Sequence, residues 1–189
     1  SGDPFDQADA YRKGIQRIPR ALHALNIPTI AAVNGPAVGA GCDLATMCDI
    51  RIGSTKAMFA ESFVKLGIIP GDGGAWFLPR VVGFSNACKM AFTGEPVKAD
   101  EALSMGLISE IVEPGALMDR AIELALSIAS NPPHAVRLTK QLMRASERAS
   151  LEELLDQSAA FQAVCHAEPD HREAVAAFFE KRAGVYRAS

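Results

Sequence analysis

Gly39-Ala40-Gly41-Cys42-Asp43 follows a short β-branched run and leads straight into a helical pattern. Small side chains at such a turn let a ligand approach the backbone, and free N–H groups at a helix start point outward with the positive end of its dipole. That device stabilises a phosphate or a developing oxyanion; the plainer alternative is tight strand–helix packing with glycine as spacer. A phosphate-binding P-loop is excluded, because no Gly-Lys-Ser/Thr follows. Three carboxylates stand in suggestive places. Asp43 falls in the first turn of the helix, where it either serves the helix start or does acid–base work. Asp72 sits in Pro70-Gly71-Asp72-Gly73-Gly74, a breaker that opens a further helix, and either caps that helix or acts chemically. Glu61 reads as a loop or structural residue.

Elsewhere the residue types are less informative. His23, His134, His166 and His171 share no metal-ligand spacing and read as surface groups, so no metal site is expected. Adjacent Cys165 and His166 do not share a helical face, which argues against a thiol–imidazole pair. The four cysteines are scattered without a CxxC pair and read as reduced thiols of an intracellular protein.

The chain has 189 residues, 49% of them hydrophobic, enough for a core that needs no staples. A formal net charge of −3 argues against nucleic acid as the main partner, since phosphate binding needs a clustered cationic face. No apolar run reaches the ~20 residues of a membrane span. Ser1-Gly2-Asp3-Pro4 reads as the middle of a turn, so a first part of the domain is expected to precede it.

The elements that must position these residues follow from periodicity. Ala8, Tyr11, Ile15, Ile18, Leu22 and Leu25 mark one face of a helix over about residues 8–25, with a kink or break expected near Pro19. Residues 27–33 and 49–52 read as strands, Asn34-Gly35-Pro36 as a turn, and residues 42–48 as a helix. Helices are expected over 86–92 and 100–105, and an edge strand over 108–112. From Leu117 on the pattern is helical, over 117–130, 134–144, 151–166 and 172–182. Strand–helix alternation followed by a run of helices makes an α/β core with a helical C-terminal appendage.

Several motifs together resemble the crotonase (enoyl-CoA hydratase/isomerase) family. They are Ile30 to Ala45 with Cys48-Asp49-Ile50-Arg51, Leu66 to Gly74, Leu78-Pro79-Arg80-Val81-Val82-Gly83, Thr93-Gly94, Ala102, Gly106-Leu107-Ile108, Ala177-Phe178 and Lys181-Arg182. The resemblance implies a stacked ββα superhelix over residues 1–115, lacking its N-terminal strands, and a helical trimerisation region over 116–189. It implies an acyl-CoA thioester ligand, no cofactor beyond that coenzyme A, and assembly into trimers or pairs of trimers. A cytoplasmic location is expected, with mitochondria or peroxisomes as alternatives.

The resemblance also assigns roles. The thioester carbonyl would be held by the N–H of Ala40 and by a donor at or beside Ser1, with Gly39, Gly41, Phe63 and Trp76 about the acyl pocket. Hydratases of the family use two glutamates; the first position is Asp43 here, and the second is Phe63. Glu61 or Asp72 would then supply the second carboxylate. Asp43 is expected to start ionised beside the helix dipole and to act as principal acid–base residue. Phe178 and Lys181, at i and i+3 of the last helix, would cover the adenine–phosphate end of coenzyme A. The implied activity is that of a hydratase or isomerase working through a thioester enolate. The alternative is an acyl-CoA-binding or structural subunit without hydratase activity.

Overall fold

A computed structural model describes residues 3–187 and divides the chain into two compact units. The first comprises the residues up to Leu25 together with Thr29–Ala121, and the second Asn26–Pro28 with the residues from Ile122 onward.

In the first unit, α1 (Pro4–Lys13) starts at Asp3, whose carboxylate accepts from Phe5 N at 2.9 Å. α2 (Arg17–Ala24) follows after a break at Gly14. The kink or break expected near Pro19 is thus found as a break, but earlier in the chain. Pro19 lies in the first turn of α2, where its missing N–H would have had no intrahelical partner, so the ring interrupts nothing. The chain breaks instead at Gly14, where a Cβ would come within 2.7 Å of the Ala10 carbonyl oxygen.

The first four strands alternate between two small sheets. β1 (Ile30–Val33), β3 (Ile50–Ser54) and β6 (Glu110–Val112) form one parallel sheet, with Ile30 opposite Ile50 and Ile52 opposite Glu110. β2 (Pro36–Val38) runs parallel to β4 (Met58–Ala60), which pairs antiparallel with β5 (Val97–Lys98). Each of the first two turns of the chain gives one strand to each sheet and then helix: α3 (Ala40–Met47) after β2, and α4 (Gly74–Val82) and α5 (Phe84–Thr93) after β4. This is the stacked ββα superhelix. The segment Asn34-Gly35-Pro36, read as a turn, gives Pro36 to β2, because proline is tolerated at the first residue of a strand. The strand over 27–33 begins only at Ile30.

Phe59, Leu78, Met90, Leu107 and Ile108 are buried together between the sheets and helices, and Ile52 is buried in the middle of its sheet. Burying each such side chain is worth about 1.5–3 kcal/mol. α6 (Ala99–Ser104) closes this unit against β5 and β6. α7 (Leu117–Ala129) runs across the boundary between the units.

The second unit contains α8 (Pro133–Ala145), α9 (Leu151–Ala167) and α10 (Pro169–Glu180). Ser150 and Glu153 form a reciprocal capping box at the start of α9, with Ser150 N donating to Glu153 at 2.8 Å. α10 ends at Phe179-Glu180, and Lys181 takes a left-handed conformation (φ 54°) as its C-cap. The expected helix over 172–182 therefore stops before Lys181. Phe178 lies in the last turn of α10 and Lys181 is the residue that caps it.

No helix among the described residues is long and apolar enough to cross a membrane.

Candidate active site

Gly39 precedes α3 with φ 56° and ψ −121°, a backbone that favours glycine, and its N–H donates to the Ala60 carbonyl at 2.8 Å. That bond ties the turn to β4 and aims the start of α3. Ala40 is the first residue of the helix, so its N–H belongs to the turn that lacks intrahelical acceptors. Ala40 lines a cavity of about 410 Å³ with Ala10, Tyr11, Ile15, Phe63, Gly71 and Asp72. The sequence-predicted donor and one sequence-predicted carboxylate thus face the same space.

Phe63 belongs to a short 3₁₀ helix (Ser62–Leu66), and its ring lies against Gly39; a Cβ there would sit 3.5 Å from it. Tyr11 covers Gly71 so closely that a Cβ at Gly71 would be 3.0 Å from its ring. Gln16 donates to the Gly71 carbonyl at 2.9 Å and joins the α1–α2 turn to the same loop. Ala10, Tyr11 and Ile15 were not foreseen as wall residues. Tyr11 and Ile15 lie in the apolar spacing of the first helix, a pattern that signals burial without saying against what.

Three buried carboxyl side chains gather at the cavity wall, where Asp72 is a lining residue and Asp43 and Glu61 are not. Asp43, Glu61 and Asp72 are 0%, 2% and 5% exposed. No N–H and no hydroxyl group among the described residues donates to either oxygen of Asp43 or Glu61, or to Oδ1 of Asp72, which leaves the carboxyl groups to one another. Asp72 does not cap α4; the cap is Gly73 and no side chain bonds there. Asp43 is pressed against Gly74, and a Cβ on Gly74 would come within 2.0 Å of Asp43 Oδ1.

Burial, first of all, pushes the Asp43 carboxyl up to about 10, and hydrogen bonding to Asp72 and Glu61 and their negative charge add to the effect. The expected ionised Asp43 is corrected: removal from water outweighs the helix dipole, and Asp43 is a carboxylic acid at neutral pH. Glu61 is also raised by burial, although sharing the Asp43 proton and the Cys42 thiol pulls it partly back. The Cys42 thiol is pushed far up by burial and by Glu61, so it stays protonated. Asp43, expected at the reacting carbon, is thus set behind the wall, and Asp72 is the carboxylate that faces the cavity. Glu61 joins them although it had read as a loop residue.

Trp76 is not among the cavity's lining residues, contrary to expectation. Its ring is held edge-on by His23 (5.2 Å) and Phe77 (4.7 Å), and the Arg80 guanidinium stacks over it at 3.9 Å. These contacts fix it as a packing residue of α4. Gly39 and Gly41 shape the turn beside Ala40 without lining the cavity. Ser1 lies outside the described residues. In the second unit, Phe178 is 78% exposed and packs edge-on against Phe179. His166 and His171, read as separate surface groups, meet at 3.2 Å. No group of three or more His, Cys, Asp or Glu side chains among the described residues is placed to hold a metal ion.

A superhelix of ββα turns with a backbone donor at a helix start beside a carboxylate-backed cavity defines the crotonase class of folds. The chain belongs to the enoyl-CoA hydratase/isomerase family, whose model matches residues 2–188. It is 43% identical over 166 residues to a short-chain-enoyl-CoA hydratase of Clostridium acetobutylicum, covering 88% of this chain and 64% of that protein. It is 38% identical over 184 residues to a 1,2-epoxyphenylacetyl-CoA isomerase of Escherichia coli, covering 95% of this chain and 70% of that one. The crystal structure of an enoyl-CoA hydratase from Bacillus anthracis superposes with a TM-score of 0.93 at 33% identity, over all of this chain and 73% of the other. The chain spans less than two thirds of the length of the Clostridium relative.

Proposed function

We propose that the protein processes acyl-CoA thioesters, as an enzyme of the enoyl-CoA hydratase/isomerase type, through an enolate held by the N–H of Ala40. The observation that carries this reading is that Ala40 and Asp72 line one cavity. In the proposed step the Asp72 carboxylate takes a proton from a carbon of the acyl chain. The C–H electron pair moves into the thioester, and negative charge grows on the oxygen facing Ala40. A fixed donor there is worth about 2.7–4 kcal/mol in the transition state. Asp72 then returns the proton, to a different carbon when a double bond migrates. Asp43, protonated behind Asp72, serves as its hydrogen-bond donor.

Isomerisation is favoured over hydration by Phe63. Its ring occupies the wall where a hydratase of this family carries its second glutamate, so one carboxylate faces the substrate and a water lacks its second holder. Coenzyme A is part of the substrate in this reading. Phe178 and Lys181 would meet its adenine–phosphate end, and Lys181 supplies the charge that a phosphate requires. Assembly of three or six copies belongs to the same proposal. It is supported by the exposed Met118, Ile122 and Leu126 at four-residue intervals on α7.

The test is to incubate the purified protein with 3-enoyl-CoA and, separately, with crotonyl-CoA. Double-bond migration much faster than crotonyl hydration is expected. Rapid crotonyl hydration would contradict the isomerase preference. Tight acyl-CoA binding with no turnover of either would favour a binding subunit.

A further inference from the structure

Resting on that reading, we propose that Glu61 is a positioning residue: it is the second acceptor for the Asp43 O–H and thereby sets how firmly Asp43 holds Asp72 by a hydrogen bond. Three observations converge. Asp43 and Glu61 are 0% and 2% exposed and do not line the cavity, so neither can turn to water for a partner. Neither oxygen of Glu61 has an N–H or hydroxyl donor among the described residues, so a shared proton is the hydrogen bond open to it besides the weak Cys42 thiol. Gly74 brings the backbone of α4 onto Asp43 Oδ1, which holds Asp43 toward its two carboxyl neighbours.

The surrounding elements supply few other charges. α3 contributes Cys42 and Asp43, the residue before the 3₁₀ helix is Glu61, and the turn before α4 holds Asp72. On α2, His23 is turned to the rings of Trp76 and Phe77, and on α4 Arg80 lies over Trp76.

The mechanism follows from the one proton of Asp43 and its two acceptors. While Asp72 is ionised, the Asp43 O–H bonds to it and steadies the carboxylate. Once Asp72 has taken a proton from the acyl chain it no longer needs that bond, and the Asp43 O–H turns to Glu61. When Asp72 gives its proton back, the bond returns. No net charge enters or leaves the cluster during the cycle, beyond the proton moved between substrate and Asp72.

Glu61→Gln tests this, because it keeps the shape and removes one negative charge. Removing a like charge lowers the pH at which the remaining carboxyls ionise. In the free protein, the infrared C=O stretch of the buried carboxylic acid should disappear on titration about one pH unit or more below its wild-type midpoint. Both limbs of the kcat profile should move to lower pH, with KM little changed. Unmoved midpoints in a folded Glu61→Gln protein, with only its melting temperature altered, would overturn the proposal.

Cys42→Ala provides a second variant should Glu61→Gln not fold. Loss of the thiol behind Glu61 should move the infrared midpoint upward, and Cys42→Ser should restore it; an unmoved midpoint in Cys42→Ala would also overturn the proposal. The infrared titration needs no substrate. A protein that turns over no acyl-CoA would refute the enzymatic reading while leaving the proton-sharing result to stand or fall on its own.

Discussion

The carboxylate of Asp43 occupies the space that a Cβ on Gly74 would need, 2.0 Å from Oδ1. A glycine on one helix is therefore the seat of an acid on another. Gly74→Ala should destabilise the first unit by about 1–3 kcal/mol through overpacking. Asp43→Ala should relieve that cost, so the double variant departs from additivity by about 0.5–3 kcal/mol. Denaturant unfolding of the four proteins measures it, and additive effects would separate the two residues.

Asp43 carries a proton that water would remove, and stability must depend on pH accordingly. Its folded value, about 10, lies above its ordinary value of 3.8. Between these the unfolded chain has lost a proton that the folded chain keeps, so folding stability falls as pH rises across that window. Asp43→Asn is neutral throughout. It should flatten this slope and melt higher than wild type at pH 8. Melting curves from pH 5 to pH 9 on both proteins decide it, and a parallel pH dependence would return Asp43 to an ionised role.

Asp72 faces the cavity, and its loss should be felt in rate more than in affinity. Asp72→Asn should lower kcat by ~10²–10⁴ and leave binding of an unreactive acyl-CoA analogue nearly unchanged. Steady-state kinetics paired with calorimetric binding would show it. A loss below tenfold would mean that another group moves the proton.

Ala40 begins α3, a position where proline fits the helix and deletes only the N–H. Ala40→Pro should keep the circular dichroism of the wild type and lose ~10²–10³ in kcat. Full activity in the folded variant would remove Ala40 from the oxyanion site.

Lys181 caps α10 with its backbone, so its ammonium group is not needed for the helix. Lys181→Glu should weaken coenzyme A ester binding at low salt, with the difference shrinking as salt is added. Equal affinities at low ionic strength would leave Lys181 with a structural role alone.

Much of this was legible in the chain because its causes are local. Periodicity and breakers located most helices to within a few residues, and the small residues of Gly39-Ala40-Gly41 marked the donor turn, since only such side chains let a ligand reach the backbone. A local pattern misled where it met a tolerant context: Pro19 looked like a kink or break but sits in a first turn.

The candidate site's chemistry was decided by tertiary structure. Glu61 is eighteen residues from Asp43 and eleven from Asp72 in the chain. Only the stacking of one ββα turn on the next buries the three together. That burial leaves Asp43 neutral, because the cost of removing a carboxylate from water exceeds what a helix dipole returns. The same packing draws Trp76 out of the cavity wall and sets Phe63 and Tyr11 into it. Residue types and spacing name the acids that are available; which of them keeps its proton depends on the solvent that folding takes away.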